Sequence, residues 1–377
     1  MRAKVAVVGN SDLNIGFAVA ADLSLAGHEI HLAQWPELAA TLDPVRLRGG
    51  FAVTGDPTEM VSGRTGTATI KAITTDISDA VRGAEVIFVD APLAELETRF
   101  RLLLPHLEAG QIVHVNTHGG WPALRLAPLL RESGQDAVTI TEGAAPTIAA
   151  GFEHGVLVPH ALRRDLAVAA FPASRTDRAL SALHSLYPTV VAARNVLQTG
   201  FEAMNMLVHP AIALLNIGSF DRAEQGGERA SFYGDCNTVH TGILAEAQDA
   251  ERAPVCAAFG VRFRTLRDHI VHYYGAKGES VHEAIRNCGF YRRLPPVPAA
   301  TWRKWLAADV PWAHVPFVAL AELAGVDTPL HRAIIAFVSA LLEQDFQHSG
   351  LTLARLGLSG CDVRDVCRYV DEGMLRA

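Results

Sequence analysis

Several features that mark specialised classes of protein are scarce in this sequence. Its five cysteines occur without a CxxC pair or a zinc-type spacing, a usage typical of a reducing compartment rather than of a disulfide scaffold. Charged residues make up 19% of the chain, the net charge is −7 and no basic cluster is present, which argues against nucleic acid as a partner. No apolar run approaches the length needed to cross a bilayer, so we expect no membrane partner either.

What is present describes an ordinary globular chain. Its 377 residues suffice for two domains with sizeable cores, and 49% of them are hydrophobic. The N-terminus, MRAKVAVVGN, enters a strand directly, without the apolar region and cleavage site of a secretory signal. Together with the cysteine usage, this predicts a cytoplasmic protein.

The first half of the chain alternates short buried strands with helices. Residues 4–8 form a β-branched run, Gly9 ends it, and helical apolar spacing from Gly16 closes at Gly27 before a second strand over 28–35. This order of strand, helix and strand is typical of a dinucleotide-binding domain. Further strands are predicted at 85–89, 111–115, 137–141 and 166–171, and a hairpin or meander insertion in the Thr- and Gly-rich tract 51–73.

Helical patterns dominate the second half, after Tyr187-Pro188. They occur at 198–220, 239–260, 262–273, 279–287, 315–325, 329–346 and 360–374, and a Pro-rich loop at 294–300 interrupts them. We therefore predict an α/β N-terminal Rossmann-like domain with a parallel sheet over residues 1–188, and an all-α C-terminal domain over residues 189–377. The first is expected to bind a dinucleotide, and the second to hold the substrate and the catalytic groups.

The turn after the first strand reads Gly9-Asn10-Ser11-Asp12-Leu13-Asn14-Ile15-Gly16. A Rossmann turn binds a diphosphate through backbone N–H groups at a helix N-terminus, and its usual spacing is GxGxxG. Here the turn is longer and lacks the middle glycine, but its place between strand and helix predicts cofactor contacts from Gly9, Asn10, Ser11 and Gly16. Asp12 opposes a phosphate unless it points away, and a Rossmann-like domain that has lost its nucleotide is the alternative.

The carboxyl ends of later strands supply further candidates, because ligands of open α/β sheets bind beyond these ends. Two loops that follow predicted strands are expected to line the cofactor, through Ala91, Pro92, Asn116 and His118. Glu142 follows another predicted strand, and its position fits a substrate contact and a solvated turn acid equally. The second strand ends Ala33-Gln34-Trp35, with neither a clean acid nor an arginine, so the sequence leaves NAD and NADP both open.

The segment 198–220 is apolar enough for a buried helix yet carries a polar stripe. At about 100° per residue, four hydrogen-bonding side chains fall on nearly one face of such a helix: Glu202, Asn205, His209 and Asn216. Pro210 is expected to kink the helix or to start a new one. The stripe predicts either a site in which His209 handles a proton or a core histidine satisfied by a carboxylate.

Distinctive blocks follow one another through the second half of the chain. They are Asn195 to Thr199 with Asn205, His209-Pro210 and Leu214 to Asn216; Phe232-Tyr233 with Asp249 to Arg252; Asp309 to Pro311 with Val315-Pro316 and Leu323 to Val326; and the tail Leu353 to Leu358. Together with the N-terminal unit, these blocks resemble the opine dehydrogenases, the octopine/nopaline dehydrogenase family, over nearly the whole chain.

The resemblance implies a Rossmann domain plus a helical domain, and an enzyme that condenses an amino acid with a 2-oxo acid and reduces the imine with NADH or NADPH. By position, His209 is similar to the family's catalytic histidine and Asp309 to its partnering aspartate. A histidine titrates near neutrality and exchanges protons with a substrate, while a nearby carboxylate fixes its tautomer. Glu142 and Met206 match positions that contact the amino donor, and Asn205 is grouped with them as a substrate-binding residue.

The family also has an arginine five residues before that aspartate, suited to binding the carboxylate of the oxo acid. This sequence has Lys304 there, with Arg303 beside it, so a point charge replaces a planar fork. Both are candidates for binding the oxo acid, and an ordinary pair of surface charges is the alternative. His269 and His272 share a helical face, but no third ligand has a suitable spacing, and we predict no metal.

We therefore predict an NAD- or NADP-dependent oxidoreductase acting on CH–NH bonds, with an amino acid and a 2-oxo acid as substrates and a homodimer as its assembly. Two rival interpretations stay open. One is a hydroxy-acid dehydrogenase on the same scaffold, which needs no amine. The other is a non-redox lyase or ligand-binding paralogue whose degenerate glycine turn no longer binds a nucleotide.

Overall fold

The chain forms two compact units in a computed structural model, which describes residues 3–11, 14–294, 297–298 and 300–375. The first unit consists of Met1–Thr199 and Val370–Gly373, and the second of Gly200–Tyr369 and Met374–Ala377. The first unit therefore extends past the predicted boundary at residue 188. The reason is a short strand at Val190–Ala192, which pairs with the strand Leu166–Phe171 of the same sheet.

The first unit alternates strands and helices. Its strands are β1 (Lys4–Val8), β2 (Glu29–Ala33), β3 (Gly50–Val53), β4 (Gly66–Thr69), β5 (Ala72–Thr74), β6 (Val86–Val89), β7 (Ile112–Val115), β8 (Thr139–Gly143), β9 (Ile148–Glu153), β10 (Val156–Leu162), β11 (Leu166–Phe171) and β12 (Val190–Ala192). Its helices are α1 (Ile15–Leu25), α2 (Asp43–Arg48), α3 (Ile77–Val81), α4 (Leu96–Leu103), α5 (Pro122–Glu132) and α6 (Thr176–His184), and α7 (Val196–Phe201) begins within it.

The main sheet has eight strands in the order β12-β11-β8-β7-β6-β1-β2-β5. Neighbouring strands pair in parallel throughout, except that β11 runs antiparallel to β8. Parallel strands covered on both faces are apolar along their length, and Val5 to Val8 of β1 are fully buried. The predicted Rossmann-like sheet is confirmed, with the antiparallel β8–β11 pair as the difference.

A second sheet of four strands, in the order β4-β3-β10-β9, includes the tract predicted as an insertion. Within that tract, β3 and β4 pair antiparallel, as a hairpin insertion requires. Sequence reasoning misses β9 and β10, which pair antiparallel with a register shift between Pro159 and Ala161. The shift breaks the regular alternation of apolar residues by which an exposed strand is recognised.

The second unit is helical, as predicted. Its helices are α8 (Asn205–Leu214), α9 (Ile217–Glu224), α10 (Val239–Ala258), α11 (Leu266–Tyr274), α12 (Val281–Asn287), α13 (Gly289–Arg293), α14 (Thr301–Asp309), α15 (Val315–Leu323), α16 (Pro329–Leu341) and α17 (Phe346–Ser349), and α18 (Val363–Glu372) begins within it. The longest, α10, starts at a reciprocal cap in which Thr238 and Thr241 each bond the other's backbone N–H.

The segment 198–220 is not the single kinked helix that its apolar character predicts. It falls in α7, α8 and α9, and Pro210 lies inside α8 rather than at a break. Glu202 follows the end of α7, and Asn216 is the N-cap of α9. The predicted stripe therefore does not lie on one helical face, because the chain changes direction between its members.

Sequence reasoning also misses α14, the helix that carries Asp309. It follows the Pro-rich loop 294–300, of which Pro295, Pro296 and Ala299 lie outside the described residues. Within the described part of the chain, no single helix has both the length and the apolar character to cross a membrane. The bent pair Val196–Leu214 and Ile217–Glu224, at 69°, meets that criterion only when its two arms are counted together.

Candidate active site

His209 and Asp309 form a buried pair in the second unit. His209 lies in the middle of α8 and Asp309 at the end of α14, and they are 5% and 6% exposed. Nδ1 of His209 donates to Oδ2 of Asp309 over 2.7 Å. This bond fixes the tautomer of the imidazole, so Nε2 is the nitrogen left to exchange a proton with another group.

Aromatic side chains surround the imidazole of His209. Trp305 stacks on it, with 4.4 Å between ring centroids and 13° between planes, and Phe232 meets it nearly edge-on at 5.9 Å. The Tyr233 hydroxyl lies 2.8 Å from Nε2. Neutral His209 therefore accepts a hydrogen bond from Tyr233, and protonated His209 donates one to it.

Trp305 is a site residue that sequence reasoning misses, and Tyr233 is one that it names only within the Phe232-Tyr233 block, without a role. A signal for Trp305 exists, because it lies four residues before Asp309 and therefore on the same face of a helix. That signal depends on recognising α14, which the sequence pattern does not reveal. Tyr233 belongs to a loop between α9 and α10, where spacing carries no information about direction.

The backbone after Asp309 is held to the start of α8. α14 passes directly into a π-helical turn over Val310–His314, a form that often occurs at functional sites. Burial lowers the pKa of His314 to about 4, so its ring is neutral near pH 7. Nε2 of His314 donates to the carbonyl oxygen of Met206 over 2.7 Å. The two helices that carry His209 and Asp309 are thereby joined by a second contact.

The two predicted carboxylate-binding cations of α14 have different surroundings. Arg303 forms ion pairs with Glu224 and, over 3.5 Å, with Asp221. Its charge is balanced by these acids. Lys304 is exposed, and the next residue is Trp305, whose ring stacks on the imidazole of the buried pair.

Asn205 and Met206, the predicted substrate contacts of this unit, begin α8. Asn205 is half-buried, and it lies one helical turn before His209. Met206 is fully buried. Its side chain belongs to the core, while its carbonyl oxygen accepts the bond from His314.

In the first unit, the glycine turn between β1 and α1 is too closely packed for a side chain at either end. Gly9 has a φ of 88°, and a Cβ there would lie 2.1 Å from the carbonyl oxygen of Asp90. A Cβ at Gly16 would lie 2.0 Å from the carbonyl oxygen of Gly9. Both glycines fit the close backbone approach of a dinucleotide turn. Asp12, whose negative charge is expected to oppose a phosphate, lies outside the described residues.

Asp90 contacts this turn through its side chain. It follows the last residue of β6 and is 2% exposed. Its Oδ2 accepts the backbone N–H of Ser11 over 2.8 Å and that of Gly16 over 3.0 Å. Burial raises the pKa of Asp90, and these two hydrogen bonds oppose the rise. Sequence reasoning places Asp90 in a cofactor-lining loop without giving it a role; an acid after the strand next to β1 is the available signal.

Ribose-binding residues of Rossmann domains lie at the end of β2, and here Glu37 follows that strand and Arg99 of α4 contacts it. Oε1 of Gln34 accepts the N–H of Asn10 over 3.2 Å and that of Trp35 over 3.0 Å. Glu37 forms an ion pair with Arg99, which also lies 5.6 Å from the centre of the Trp35 ring. An acid binds a ribose 2′-hydroxyl and an arginine a 2′-phosphate, so the arrangement is compatible with NAD and with NADP.

The loops after β6 and β7 hold the other predicted cofactor contacts. Ala91 is buried and Pro92 exposed, and His118 is half-buried. Asn116 is buried, and its Oδ1 accepts the N–H of Thr147 over 2.9 Å while its Nδ2 donates to the hydroxyl of the same residue over 3.2 Å. The side chain of Asn116 therefore fixes the start of its loop against Thr147.

Glu142 lies within β8 rather than in a turn after it, because β8 extends to Gly143. It is 1% exposed, so it is not a solvated turn acid. Its Oε2 accepts the N–H of Ala123 over 2.8 Å, and its Oε1 accepts the hydroxyl of Thr199 over 2.7 Å. Burial raises the pKa of Glu142 to about 7, against the opposing effect of these two bonds and of the Arg125 charge.

The described residues include no group of three or more His, Cys, Asp and Glu side chains that could hold a metal ion. His269 and His272 both lie on α11, where His269 is buried and His272 exposed. They are a pair without a further ligand in this part of the chain.

Comparison with known proteins adds a family to this geometry. The family model described as NAD/NADP octopine/nopaline dehydrogenase, alpha-helical domain, matches residues 192–342. An opine dehydrogenase of Arthrobacter sp. (strain 1C) is 30% identical over 349 residues, which are 92% of this chain and 93% of that protein. A solved octopine dehydrogenase with NADH and L-arginine covers 100% of this chain and is itself covered to 99%, with a TM-score of 0.76 at 18% identity. Yersinopine dehydrogenase with NADP⁺ bound matches over 98% of both chains, with a TM-score of 0.63 at 13% identity.

Proposed function

The chain belongs to the opine dehydrogenase family, and from this membership we propose that it condenses an amino acid with a 2-oxo acid and reduces the resulting imine. The predicted family, the fold class and the enzyme class, an oxidoreductase of CH–NH bonds that depends on NAD or NADP, are confirmed. The buried hydrogen-bonded pair of His209 and Asp309 is the observation that supports these two residues as the catalytic groups.

His209 is the proton-handling residue in this proposal. Condensation of an amine with a carbonyl releases water, and reduction leaves a secondary amine, so protons move at the carbonyl oxygen and at the nitrogen. The reduced nicotinamide supplies the hydride. Nε2 of His209 exchanges the protons, because Nδ1 is engaged by Asp309. The Tyr233 hydroxyl bonds the same Nε2 and orients the ring until the substrate takes its place at this nitrogen.

Lys304 binds the carboxylate of the oxo acid. It is exposed and lies five residues before Asp309, at the position where the family has an arginine. Arg303, which forms ion pairs with Glu224 and Asp221, is proposed to support the site beside it. A lysine attracts a carboxylate as a point charge without fixing its plane.

The amino donor is assigned to Asn205, Met206 and Glu142. Asn205 offers an amide one turn before His209, which supports a polar contact to the donor. Met206 is buried in the second unit and Glu142 in the first, so each is proposed to act through the packing and polarity of its own unit rather than through an exposed contact.

The first unit is proposed as the dinucleotide-binding domain and the second as the substrate and catalytic domain. Gly9 and Gly16 allow close approach of the backbone, and the N–H groups of Asn10 and Ser11 belong to the same turn. The nicotinamide end is assigned to the loops after β6 and β7, through Ala91, Pro92, Asn116 and His118.

The test is a matrix of amino acids and 2-oxo acids, with NADH and NADPH, in which oxidation of the nicotinamide is followed by absorbance. L-arginine and pyruvate belong in it, because octopine dehydrogenase structures contain each of them. We expect oxidation that requires both an amine and an oxo acid, and a product whose mass joins the two substrates less one oxygen atom.

If NADH or NADPH is oxidised with the oxo acid alone, and a hydroxy acid is the product, this proposal is overturned in favour of a hydroxy-acid dehydrogenase.

We also propose a cytoplasmic location and a homodimer for this protein. Free thiols at Cys236 and Cys256 support a reducing compartment. Phe337 and Leu341, exposed one turn apart on α16, support pairing of two copies, which sedimentation measures directly.

A further inference from the structure

The side chain of Asp90 occupies backbone donors that a dinucleotide turn uses for phosphate. Its Oδ2 lies 2.8 Å from the Ser11 nitrogen and 3.0 Å from the Gly16 nitrogen. Gly16 is in the first turn of α1, where N–H groups and the helix dipole favour a negative charge. A carboxylate there makes the kind of contact that a phosphate oxygen makes.

The neighbouring donors of the turn are bonded as well. Gln34 accepts the N–H of Asn10, and Asn10 accepts the N–H of Phe17 through its side-chain oxygen. The amide groups of Gln34 and Asn10 are neutral, so a phosphate competes with them at little electrostatic penalty. Asp90 is different, because an ionised carboxylate also repels the phosphate that would replace it.

We propose that Asp90 is an internal anion of the cofactor site, which sets the affinity for NAD(P)H by competing with the diphosphate for the N–H groups of Ser11 and Gly16. The inference rests on the proposed assignment of the cofactor to the first unit. Bound diphosphate displaces the carboxylate from these donors. The wild-type protein therefore binds dinucleotides more weakly than a variant that lacks the Asp90 carboxylate. Asp90 is therefore an affinity-determining residue toward the cofactor, not a catalytic residue.

The experiment is a calorimetric titration, at equilibrium, of the full-length protein with NADH, NADPH, ADP-ribose and adenosine. The variants are Asp90→Asn, which keeps the shape of the side chain, and Asp90→Ala, which frees both donors. Asp76→Asn is the matched control, since Asp76 also accepts a backbone N–H at a helix start of the same unit and is exposed. Thermal unfolding of each variant verifies that it is folded.

Both Asp90 variants are expected to bind NADH and ADP-ribose with a Kd at least about tenfold lower than that of wild type, because a charge-assisted competitor is removed. Adenosine, which has no phosphate, binds all four proteins alike, and Asp76→Asn behaves as wild type. If Asp90→Asn binds NADH as tightly as wild type or more weakly, the proposed role of Asp90 is overturned, while the cofactor assignment still stands. Absence of dinucleotide binding by every protein would overturn the cofactor assignment together with it.

Discussion

Two buried aspartates of this molecule, Asp309 and Asp90, carry the same carboxylate and differ in what they bond. Asp309 accepts from the imidazole of His209, a group that can pass a proton to or from a substrate. Asp90 accepts from backbone N–H groups, which never titrate. The Asp309 carboxylate therefore orients a group that exchanges protons. The Asp90 carboxylate competes with any other anion for the same N–H donors.

The largest expected effect is at the imidazole itself. His209→Ala removes the proton-exchanging nitrogen, so kcat is expected to fall about 1000-fold, within the usual range of general acid–base catalysis. The Kd for NADH is expected to stay within about twofold, because His209 belongs to the helical unit. His240→Ala, a change at an exposed histidine of the same unit, is the control. Loss of cofactor binding together with turnover would indicate misfolding and count against a catalytic role.

Glu142 adds a third buried carboxylate, whose effect appears in stability. Burial raises its pKa from 4.5 to about 7, so the protonated form stabilises the fold below pH 4.5 and this contribution is lost as the pH rises through 7. Glu142→Gln stays neutral, and its free energy of unfolding at pH 8 is expected to exceed that of wild type by about 3 kcal/mol. Urea unfolding across this pH range measures the difference.

Glu85→Gln is the control for Glu142→Gln, since it removes the same charge from a side chain that is exposed in the folded protein. Its pH profile of unfolding should follow that of wild type. If wild type and Glu142→Gln lose stability in parallel between pH 5 and pH 8, Glu142 does not titrate there and the inference about its burial fails.

Lys304 tests the charged part of the substrate site. Lys304→Ala is expected to raise KM for the 2-oxo acid about tenfold, with a smaller change in kcat, since one charge-assisted contact is lost. Lys304→Arg restores a cation and should recover most of the affinity. Lys277→Ala serves as the control at another exposed lysine. An unchanged KM in Lys304→Ala would remove this residue from the carboxylate site.

Tyr233 gives the smallest expected effect. Tyr233→Phe keeps the ring packed against Phe232 and removes only the hydroxyl 2.8 Å from Nε2 of His209. We expect kcat to fall roughly threefold to tenfold, because an orienting hydrogen bond is lost while the Asp309 contact holds the ring. A decrease as large as that of His209→Ala would make Tyr233 a proton donor in its own right.

Much of the fold is predictable from the sequence because buried parallel strands are apolar along their whole length. The strands Lys4–Val8 and Leu166–Phe171 are found where the pattern predicts them. Half-exposed β9 and β10 carry no such run, and α14 has a Pro-rich loop before it. Local patterning therefore reveals the core and misses elements whose position depends on contacts far along the chain.

The candidate site shows the same division. The pairing of His209 with Asp309 spans 100 residues, so the family resemblance predicts it and local spacing does not. The ring of Trp305 and the hydroxyl of Tyr233 require coordinates, because one depends on an unrecognised helix and the other on a loop. The contact of Asp90 with Ser11 crosses from one strand end to its neighbour, which no local pattern encodes.

The comparison of the two aspartates is tested most directly by neutralising each in turn. For Asp309→Asn and Asp90→Asn, the Kd for NADH and the kcat at saturating substrates are measured side by side. Asp309→Asn is expected to lower kcat about 100-fold and to leave the Kd within about twofold, because the tautomer of His209 is no longer fixed. Asp90→Asn is expected to lower the Kd about tenfold. Equal changes in both quantities for the two variants would contradict the division of roles between proton handling and cofactor affinity.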